Sequence, residues 1–526
     1  MENKNTIQPG SNESPCQFAD RLGSEYSISV SQNHKKVNGQ FFTPLEIACA
    51  MASYAEVNNK SVSILDPGCG TAVLSCALIE HLINSNKNLS SIKLVVYETD
   101  PELVPALKKV LEYLEHWVKN KDIQINILLH EEDFILHNAD YFNEPGDLFT
   151  KPAELFDIVI SNPPYFKLAI NDPRVIAAKV VVNGHPNIYS IFMGLSAKML
   201  KADGELIFIT PRSYAAGNYF KKFRTYFFKL IDPDRIHLFV SRKETFRKDK
   251  VLQETVIFKG TRRNRNDENV IISSSAGIKD LADPSIKSFP KKVIIDIHST
   301  EKILYLPTTD FEEAVLDIVR DWTGNLSKYQ IQISTGPVVA FRSWKYIREQ
   351  FENSSVQLVP LFWLHNIKQM KLEWPVYKPG KGQYINVEEN SRPLLIPNNN
   401  YILLRRFSSK DDKNRLIAAP CFKVNSDSDF IGVENKVNYI YRPKGHLEKN
   451  EIVGLCAIYN SRFYDTYFRI FNGNVNVSAT ELREMSLPSL EMIKEIGDSI
   501  ILSGDFSVIN ANRIINKYFQ PTPVYE

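Results

Sequence analysis

The stretch that decides the fold is Asp157-Ile158-Val159-Ile160-Ser161-Asn162-Pro163-Pro164-Tyr165-Phe166. It begins with a short β-branched apolar run, which is typical of a strand buried on both faces of a parallel sheet. The strand must end at the two prolines, because proline has no N–H and cannot continue a ladder. An amide (Asn162) and a ring (Tyr165) flank this stiff corner. Such a tetrapeptide alone is more often a turn than a site, but acceptors beside a flat ring also suit a planar group that bears an amine.

Runs of strand and helix character alternate on both sides of this stretch. Strands are predicted at 61–66, 92–97, 123–129, 157–161, 205–209, 236–240 and 254–258. Helices are predicted at 72–82, 101–118, 187–200 and 218–230. The last two strands are joined by a loop, so the last strand is expected to be antiparallel. The pattern predicts a seven-stranded, doubly wound α/β domain.

Composition indicates an ordinary globular protein with more than one domain. The chain has 526 residues, of which 43% are hydrophobic and 24% charged, and its net charge is +2. It has no apolar run of about 18 residues and no signal-peptide core near Met1, so a cytoplasmic protein without a membrane span is expected. The six cysteines form no CxxC pair, which favours free thiols and no metal site. The near-neutral charge leaves a local nucleic-acid surface possible.

The first predicted strand ends in a glycine-rich turn, Asp66-Pro67-Gly68-Cys69-Gly70-Thr71, which is followed by a helix. A strand, a turn of this kind and a helix form a nucleotide-type pocket. Val73 occupies the third glycine position of a dinucleotide fingerprint, so a pyrophosphate is not expected. The carboxylate of Asp66 would repel phosphate and would suit a cation or an amino group.

Two more acids follow the next strands. Glu98 ends the second strand, where a carboxylate can accept hydrogen bonds from a ribose diol. Asp133 and Phe134 follow the third strand, where they can accept from an adenine amino group and pack against its ring. Each feature by itself is weak, since a surface Glu or an Asp-Phe pair is common.

The segment before the first strand contains Gly39-Gln40-Phe41-Phe42-Thr43-Pro44-Leu45-Glu46. Thr43 as N-cap, Pro44 at the first helical position and Glu46 as its partner predict a capping box and a helix to about Ala55. Residues 1–37 are polar and are expected to be partly mobile. Their Pro-Cys-Gln at 15–17 matches the nucleophile tripeptide of cytosine-C5 methyltransferases, but it precedes every cofactor signal and is interpreted as chance.

The composition becomes polar and basic at 259–266, which predicts a boundary. The predicted parts are therefore a polar segment at 1–37, a first domain at 38–265 and a second domain at 266–526. The second domain shows no βα alternation, but one long amphipathic helix is predicted at 451–471. Arg405 and Arg406 precede Phe407, and this basic–aromatic setting weakly favours contact with nucleic acid.

Taken in order, these motifs resemble the gamma-group (TaqI-like) N6-adenine DNA methyltransferases of type II restriction–modification systems. The stretches 209–214 and 246–255 are more similar to methylases of the PstI kind. The resemblance covers the first 260 residues with specific motifs, and extends loosely to 459–461 and 474–482. It implies the class I S-adenosylmethionine-dependent methyltransferase fold and a C-terminal mixed α+β DNA-recognition domain.

The resemblance also implies the cofactor S-adenosylmethionine and the residues that hold it. Thr43 and Pro44 would wall its methionine end. Its aminoacyl part would meet Asp66, Gly68 and Gly70, its ribose Glu98, and its adenine Asp133 and Phe134.

The chemistry implied at the corner needs no metal and no covalent nucleophile. The target amine is a weak nucleophile, because its lone pair is conjugated into the ring. Asn162 Oδ1 and the Pro163 carbonyl could each accept one N–H, which would free that lone pair; Pro164 completes the corner. The base would have to leave the duplex, and Tyr165 would stack on it.

The family also has an aromatic residue that helps to hold the flipped base, and Phe246 is the match. Its basic neighbours suit the DNA backbone. They are Arg242, Lys243, Arg247 and Lys248.

Several alternatives remain at this point. An N4-cytosine methylase uses the same corner, although Ser more often replaces Asn there. An RNA or protein-glutamine methyltransferase shares the fold but would not need a second domain of this length. A catalytically silent DNA-binding subunit would be expected to lack the acids that are present here. The partners expected for the first interpretation are double-stranded DNA and a separate restriction endonuclease, with the enzyme itself a monomer.

Overall fold

The structure is a computed structural model. It describes residues 8–142, 154–239, 255–263, 269–296, 299–349, 357–408, 412–423, 428–472 and 477–519. The chain divides into two compact units, Met1–Thr308 and Thr309–Glu526. Across the described ranges, no helix combines the length and the apolar character that crossing a bilayer requires.

Unit 1 is built on one large sheet. Its strands are β1 Ser61–Pro67, β2 Ser91–Tyr97, β3 Gln124–His130, β4 Phe156–Ser161, β5 Leu200–Pro211, β6 Asp232–Phe239, β7 Thr255–Thr261, β8 Asn269–Ser275 and β9 Ser285–Pro290. Their order in the described sheet is β3-β2-β1-β4-β5-β7-β6-β8-β9. β1 to β5 pair in parallel, while β7 is antiparallel to both β5 and β6. The predicted seven strands and their antiparallel last member are therefore confirmed.

The described sheet has two more strands than the seven that the sequence predicted. β8 pairs in parallel with β6, and β9 pairs with β8 in antiparallel fashion. Both strands follow the composition change at 259–266 that predicted a boundary at 265/266, so the described sheet continues on both sides of it. The compact units divide later, between Thr308 and Thr309.

Helices cover the sheet. They are α1 Pro15–Ser29, α2 Gln32–Asn38, α3 Leu45–Ala52, α4 Val73–Ser85, α5 Val104–Lys119, α6 Phe134–His137, α7 Pro173–Ala177, α8 Ile188–Lys198, α9 Lys221–Phe227 and α10 Lys291–Ile294. Short 3-10 helices lie at Ala139–Phe142, Arg212–Ala215 and Asn218–Phe220.

In the N-terminal segment the structure describes residues from 8 onward, and most of them form the helices α1 and α2. Ser14 and Gln17 form a capping box at the start of α1. The helix buries Cys16, Phe18 and Leu22 in the same core as α3, α4 and α5. The average composition of the segment is polar, but one face of α1 is apolar, and that face packs the helix onto the core. Cys16 is thus a core residue, which agrees with the interpretation of Pro-Cys-Gln as chance.

The predicted capping box at Thr43 is wrong. α3 begins at Leu45 and ends at Ala52, its N-cap position is Pro44, and no side chain caps it. The side chain of Thr43 is used elsewhere, at Asn162.

Unit 2 combines small sheets with a helical bundle. Its strands are β10 Gln332–Thr335, β11 Ile347–Arg348, β12 Leu358–Phe362, β13 Ile367–Lys368, β14 Lys371–Leu372, β15 Tyr384–Asn386, β16 Leu395–Pro397, β17 Tyr401–Arg405, β18 Ala418–Cys421, β19 Phe430–Val433 and β20 Val437–Tyr441. Its helices are α11 Asp310–Arg320, α12 Ala340–Ser343, α13 Lys449–Asn460, α14 Arg462–Phe471, α15 Ala479–Glu484, α16 Leu490–Ser503 and α17 Val508–Tyr518, with 3-10 turns at Trp344–Tyr346, Leu364–Asn366 and Arg392–Leu394. The described strands form sheets in the orders β10-β20-β17-β18, β11-β15-β12-β19-β16 and β13-β14.

The single long helix predicted at 451–471 is wrong, because two helices occupy this range. Ser461 between α13 and α14 is extended, and its Oγ accepts a hydrogen bond from the Tyr464 N–H. α13 packs closely on α16 through Gly454 and Gly497, where an added Cβ would lie only 2.0 Å from a backbone oxygen of the facing helix. The apolar pattern continues across Ser461, so periodicity alone did not reveal the break.

Candidate active site

The candidate site lies at the carboxyl ends of β1 to β4, at the edge where ligands of open parallel sheets bind. A cavity of about 270 Å³ opens there. Its lining includes eight of the predicted site residues: Thr43, Gly68, Gly70, Glu98, Asp133, Phe134, Asn162 and Pro164. The lining does not include the predicted residues Pro44, Asp66, Pro163 and Tyr165, which lie around the cavity wall or behind it.

The amide of Asn162 has a defined orientation. Its Nδ2 donates to the carbonyl oxygen of Phe41 at 2.8 Å and to Thr43 Oγ1 at 3.0 Å. With both amide hydrogens used by the 41–43 segment, Oδ1 is the atom that remains to accept from a ligand. A segment about 120 residues away along the chain therefore sets which end of the amide can meet a reacting amine.

Tyr165 is half-buried beside this amide. Its hydroxyl oxygen lies 2.6 Å from Asn162 Oδ1 and 2.9 Å from the carbonyl oxygen of Ile209. One hydroxyl has one hydrogen, so it donates to one of these oxygens at a time. The ring stacks on Phe41 with centroids 5.5 Å apart. Burial raises the pKa of Tyr165 well above its ordinary value, so the hydroxyl stays a donor at neutral pH.

Asp66 is fully buried beneath the glycine-rich turn. Its Oδ2 accepts from Ser75 Oγ at 2.6 Å, and its Oδ1 has no hydrogen-bond partner among the described residues. Burial raises the pKa of this carboxyl to about 7. The turn itself needs glycine, since Gly68 and Gly70 have φ of 74° and 59°. A buried acid with an unused oxygen is a site that a cationic group would stabilise.

Glu98 is held by the backbone. Its Oε1 accepts from the N–H groups of Thr99 and Asp100, both at 2.9 Å, and its Oε2 accepts from the Gly70 N–H at 3.0 Å. Burial raises its pKa, and these three N–H donors oppose the rise. The carboxylate is thereby fixed at the cavity wall, and since Oε1 already accepts two hydrogen bonds, the remaining acceptor capacity lies on Oε2.

Asp133 and Phe134 form the far end of the cavity. Asp133 Oδ1 caps α6 by accepting from the N–H groups of Ile135 and Leu136. The ring of Phe134 is buried between Tyr97 and Phe192, with centroid distances of 5.2 and 5.1 Å. Asp133 thus has a structural task that the sequence did not indicate, in addition to facing the cavity.

The sequence did not reveal how the 39–43 segment is fastened. Asp100 Oδ2 accepts from the hydroxyl of Tyr26 and from Nε2 of Gln40, both at 2.6 Å, and it lies 2.8 Å from His34 Nε2. Gly39 allows close packing, because an added Cβ would lie 2.6 Å from Phe166. One carboxylate after β2 therefore ties the N-terminal helices to the cavity wall. The motif Gly-Gln-Phe-Phe was visible, but its acidic partner was not.

His130, Glu132 and His137 bring metal-ligand atoms within 4.8 Å of one another near the end of β3. The rings of His130 and Tyr97 stack with centroids 4.6 Å apart, and those of His130 and His137 are 4.9 Å apart. These contacts give both imidazoles a packing role at the outer end of the cavity.

The residues predicted to contact DNA or the flipped base fall into two groups, of which the structure describes only the second. Phe246, Arg242, Lys243, Arg247 and Lys248 lie outside the described residues. Arg405 donates through Nε and Nη2 to the carbonyl oxygen of Ile367, at 2.9 and 2.6 Å. Arg406 donates through Nη1 to the carbonyl oxygen of Asn435 at 3.1 Å. Both guanidinium groups are thus engaged with the backbone of their own unit.

Comparison with known proteins agrees with this architecture. A family model described as "Eco57I restriction-modification methylase" matches residues 77–246. The type II methyltransferase M.BsuBI of Bacillus subtilis is 32% identical over 91% of this chain and 93% of its own length, and M.PstI of Providencia stuartii is 30% identical over 96% and 97%.

A solved DNA complex of the type IIL restriction–modification enzyme MmeI covers 97% of this chain and 80% of that chain, with 11% identity and a TM-score of 0.52, which shows similarity of fold. M.PstI and M.BsuBI match this chain nearly end to end, so their similarity to it includes both units and not only the cofactor motifs. The chain belongs to the type II methyltransferases of restriction–modification systems, and its activity is DNA methylation.

Proposed function

We propose that the protein transfers a methyl group from S-adenosylmethionine to the N6 amino group of an adenine in a short duplex DNA sequence, and so protects host DNA from a separate restriction endonuclease. The observation that carries this proposal is the orientation of Asn162: Phe41 and Thr43 bind its Nδ2, so its acceptor Oδ1, which the Tyr165 hydroxyl contacts at 2.6 Å, is the end left for a ligand. The same cavity contains Glu98 and Phe134, which suit a nucleoside. A monomer in the cytoplasm is part of the proposal.

The residues present fit the cofactor. The unpartnered Oδ1 of Asp66 suits the cationic aminoacyl end, and the turn at Gly68 and Gly70 brings the backbone close to it. Glu98 Oε2 has acceptor capacity for a ribose hydroxyl, and Phe134 offers a buried ring for the adenine. When bound, S-adenosylmethionine would supply an electrophilic methyl group.

The corner after β4 would activate the amine without a metal. Asn162 Oδ1 would accept one N–H of the target amine and the Pro163 carbonyl the other, which would withdraw the nitrogen lone pair from the ring. Because Phe41 and Thr43 hold the amide in place, this acceptor would need no reorientation when the base arrives.

Tyr165 would have to change its contacts. Its ring stacks on Phe41, and its hydroxyl lies at the oxygen that the amine would use. The Ile209 carbonyl, 2.9 Å away, is an alternative acceptor for the hydroxyl. Transfer of the hydroxyl hydrogen bond to Ile209 would leave Asn162 Oδ1 fully available while the ring packs against the base.

The test is methylation of plasmid DNA with labelled S-adenosylmethionine, followed by nucleoside analysis and mapping of the modified sites. We expect N6-methyladenine in one short sequence. N4-methylcytosine would select the alternative base, and label confined to RNA or protein would contradict the proposal.

A further inference from the structure

The loop 374–383 of unit 2 has an exposed tip at residues 377–380. Its tip carries Tyr377, whose side chain is 74% exposed, followed by exposed Lys378, Pro379 and Gly380. Such a ring offers both apolar surface and a polar hydroxyl to a binding partner.

The loop is braced from inside by buried amides. The Gln383 side chain accepts from the Val376 N–H at 3.0 Å and donates to the Lys381 carbonyl at 2.9 Å. Asn366 Nδ2 donates to the Glu373 carbonyl at 2.8 Å and to Gln383 Oε1 at 3.2 Å. Both amides are at most 3% exposed. An exposed tip on such a base is preorganised, so little conformational entropy is lost when it binds a partner.

Three lysines lie in or near this loop: Lys378 and Lys381 belong to it, and Lys368 belongs to β13. Burial lowers the pKa of His365, and the charges of Lys378, Lys381 and Lys368 lower it further, which places all three ammonium groups within electrostatic reach of one ring. Lys381 Nζ lies 4.6 Å from the centroid of the Trp363 ring. None of the three lysines forms a salt bridge with a carboxylate in the described ranges; the charge of Lys381 opposes the burial that raises the pKa of Glu434, while Lys368 and Lys378 have no acidic partner there.

Several other basic groups of unit 2 are engaged by neighbouring groups. Lys371 pairs with Glu373 at 3.0 Å, and Arg442 pairs with buried Glu451 at 2.8 Å. Arg405 binds the Ile367 carbonyl and so supports β13, the strand that carries Lys368. The predicted DNA contact Arg405 therefore acts one residue away from a lysine that is exposed.

We propose that Lys368, Tyr377, Lys378 and Lys381, together called the lysine face, contact the sugar–phosphate backbone of duplex DNA. This inference rests on the proposed function and names the surface of unit 2 that the substrate touches. Clustered ammonium groups on a rigid loop and on the neighbouring strand β13 match the negative charge of phosphates, and such contacts fix the register of a protein on DNA without reading bases. The Tyr377 ring would be buried against the backbone.

The experiment measures affinity for a duplex oligonucleotide as a function of salt, for the full-length wild type and for the triple variant Lys368→Ala/Lys378→Ala/Lys381→Ala. Each lost phosphate contact removes about 0.9 from the slope of log K against log salt, so we expect the slope to fall by up to about 2.7. Affinity near physiological salt should fall on the order of tenfold or more. The variant should keep its cofactor affinity and its kcat at saturating DNA.

The matched control is Lys328→Ala/Lys449→Ala/Lys517→Ala, which removes the same charge from three exposed lysines elsewhere in unit 2. An equal loss in this control, or no loss in the first variant, overturns the inference while the wild type still methylates DNA. A wild type that neither binds nor methylates duplex DNA overturns the proposed function, and this inference with it. If the triple variant is unstable, the single variant Lys378→Glu, at the exposed tip, replaces it. The inference requires that this variant bind duplex DNA more weakly than the wild type, and unchanged affinity overturns it.

Discussion

The active-site cavity of unit 1 and the lysine face of unit 2 use their polar groups in opposite ways. In the cavity each functional group is bound on one side by the protein, as Asn162 is by Phe41 and Thr43, so that the other side points to a ligand. On the lysine face the ammonium groups form no salt bridge with a carboxylate of the described residues. A residue of the first kind is recognisable by its motif, whereas a residue of the second kind is defined only by the neighbours that it lacks.

Asn162 and Arg405 illustrate the difference. The motif around Asn162 is contiguous, and its corner forms where strand β4 ends. Arg405 stands in an equally suggestive local sequence, but its guanidinium is used by the Ile367 carbonyl. Local sequence predicts the position of a group well when the backbone itself builds the site, and poorly when tertiary contacts decide which groups a side chain binds.

The largest effect is expected from Asn162→Ala. The variant loses the oriented acceptor, and we expect kcat to fall on the order of 10²-fold or more while S-adenosylmethionine still binds. Single-turnover methylation and calorimetric cofactor binding measure the two quantities separately. Near-normal turnover would contradict the role assigned to the amide.

Tyr165→Phe is the matched control for that variant. It keeps the ring and removes the hydroxyl that donates near Asn162 Oδ1. Because the amide remains bound to Phe41 and Thr43, we expect a much smaller loss of kcat than in Asn162→Ala.

A smaller effect is expected from Thr43→Val, which removes one of the two acceptors that orient the Asn162 amide. The Phe41 carbonyl remains, so we expect kcat to fall on the order of tenfold, as for the loss of one hydrogen bond to a buried group. Thr43→Ser keeps the hydroxyl and should restore most of the rate. An increase in KM for the cofactor without a change in kcat would instead indicate that Thr43 only walls the methionine end.

The contrast also explains how far the sequence could be interpreted. Strand β4 and its proline corner, the glycine turn at 68–70 and the acids at strand ends are local features, and the structure places them at one sheet edge. The fastening of that edge by Tyr26 and Gln40 on Asp100 joins residues 60 or more positions apart. No periodicity or capping rule contains such a contact, and the wrong assignment of Thr43 as a cap arose from the same limit.

The next effect concerns pH and Asp66. Because burial raises the pKa of Asp66 to about 7, the cofactor-free carboxyl takes up a proton as the pH falls below 7. A cationic ligand needs the ionised form, so we expect cofactor affinity to be about fivefold weaker at pH 6 than at pH 7. Calorimetric titrations across this range measure it. The variant Asp66→Asn should bind the cofactor more weakly, and its affinity should no longer change between pH 6 and pH 7. If the variant kept the pH dependence of the wild type, another group would be responsible for it.

The smallest effect on DNA binding is expected from Arg405→Ala. Its two hydrogen bonds to the Ile367 carbonyl support β13, so the variant should lose about 1–2 kcal/mol of unfolding free energy in denaturant titrations. The slope of log K against log salt should stay near that of the wild type, because the guanidinium is turned to the backbone. Arg406→Ala is the matched control, with one weaker bond at 3.1 Å and a smaller expected loss of stability. A slope reduced by about 0.9 in Arg405→Ala would show that this residue contacts phosphate after all, and would extend the lysine face to β17.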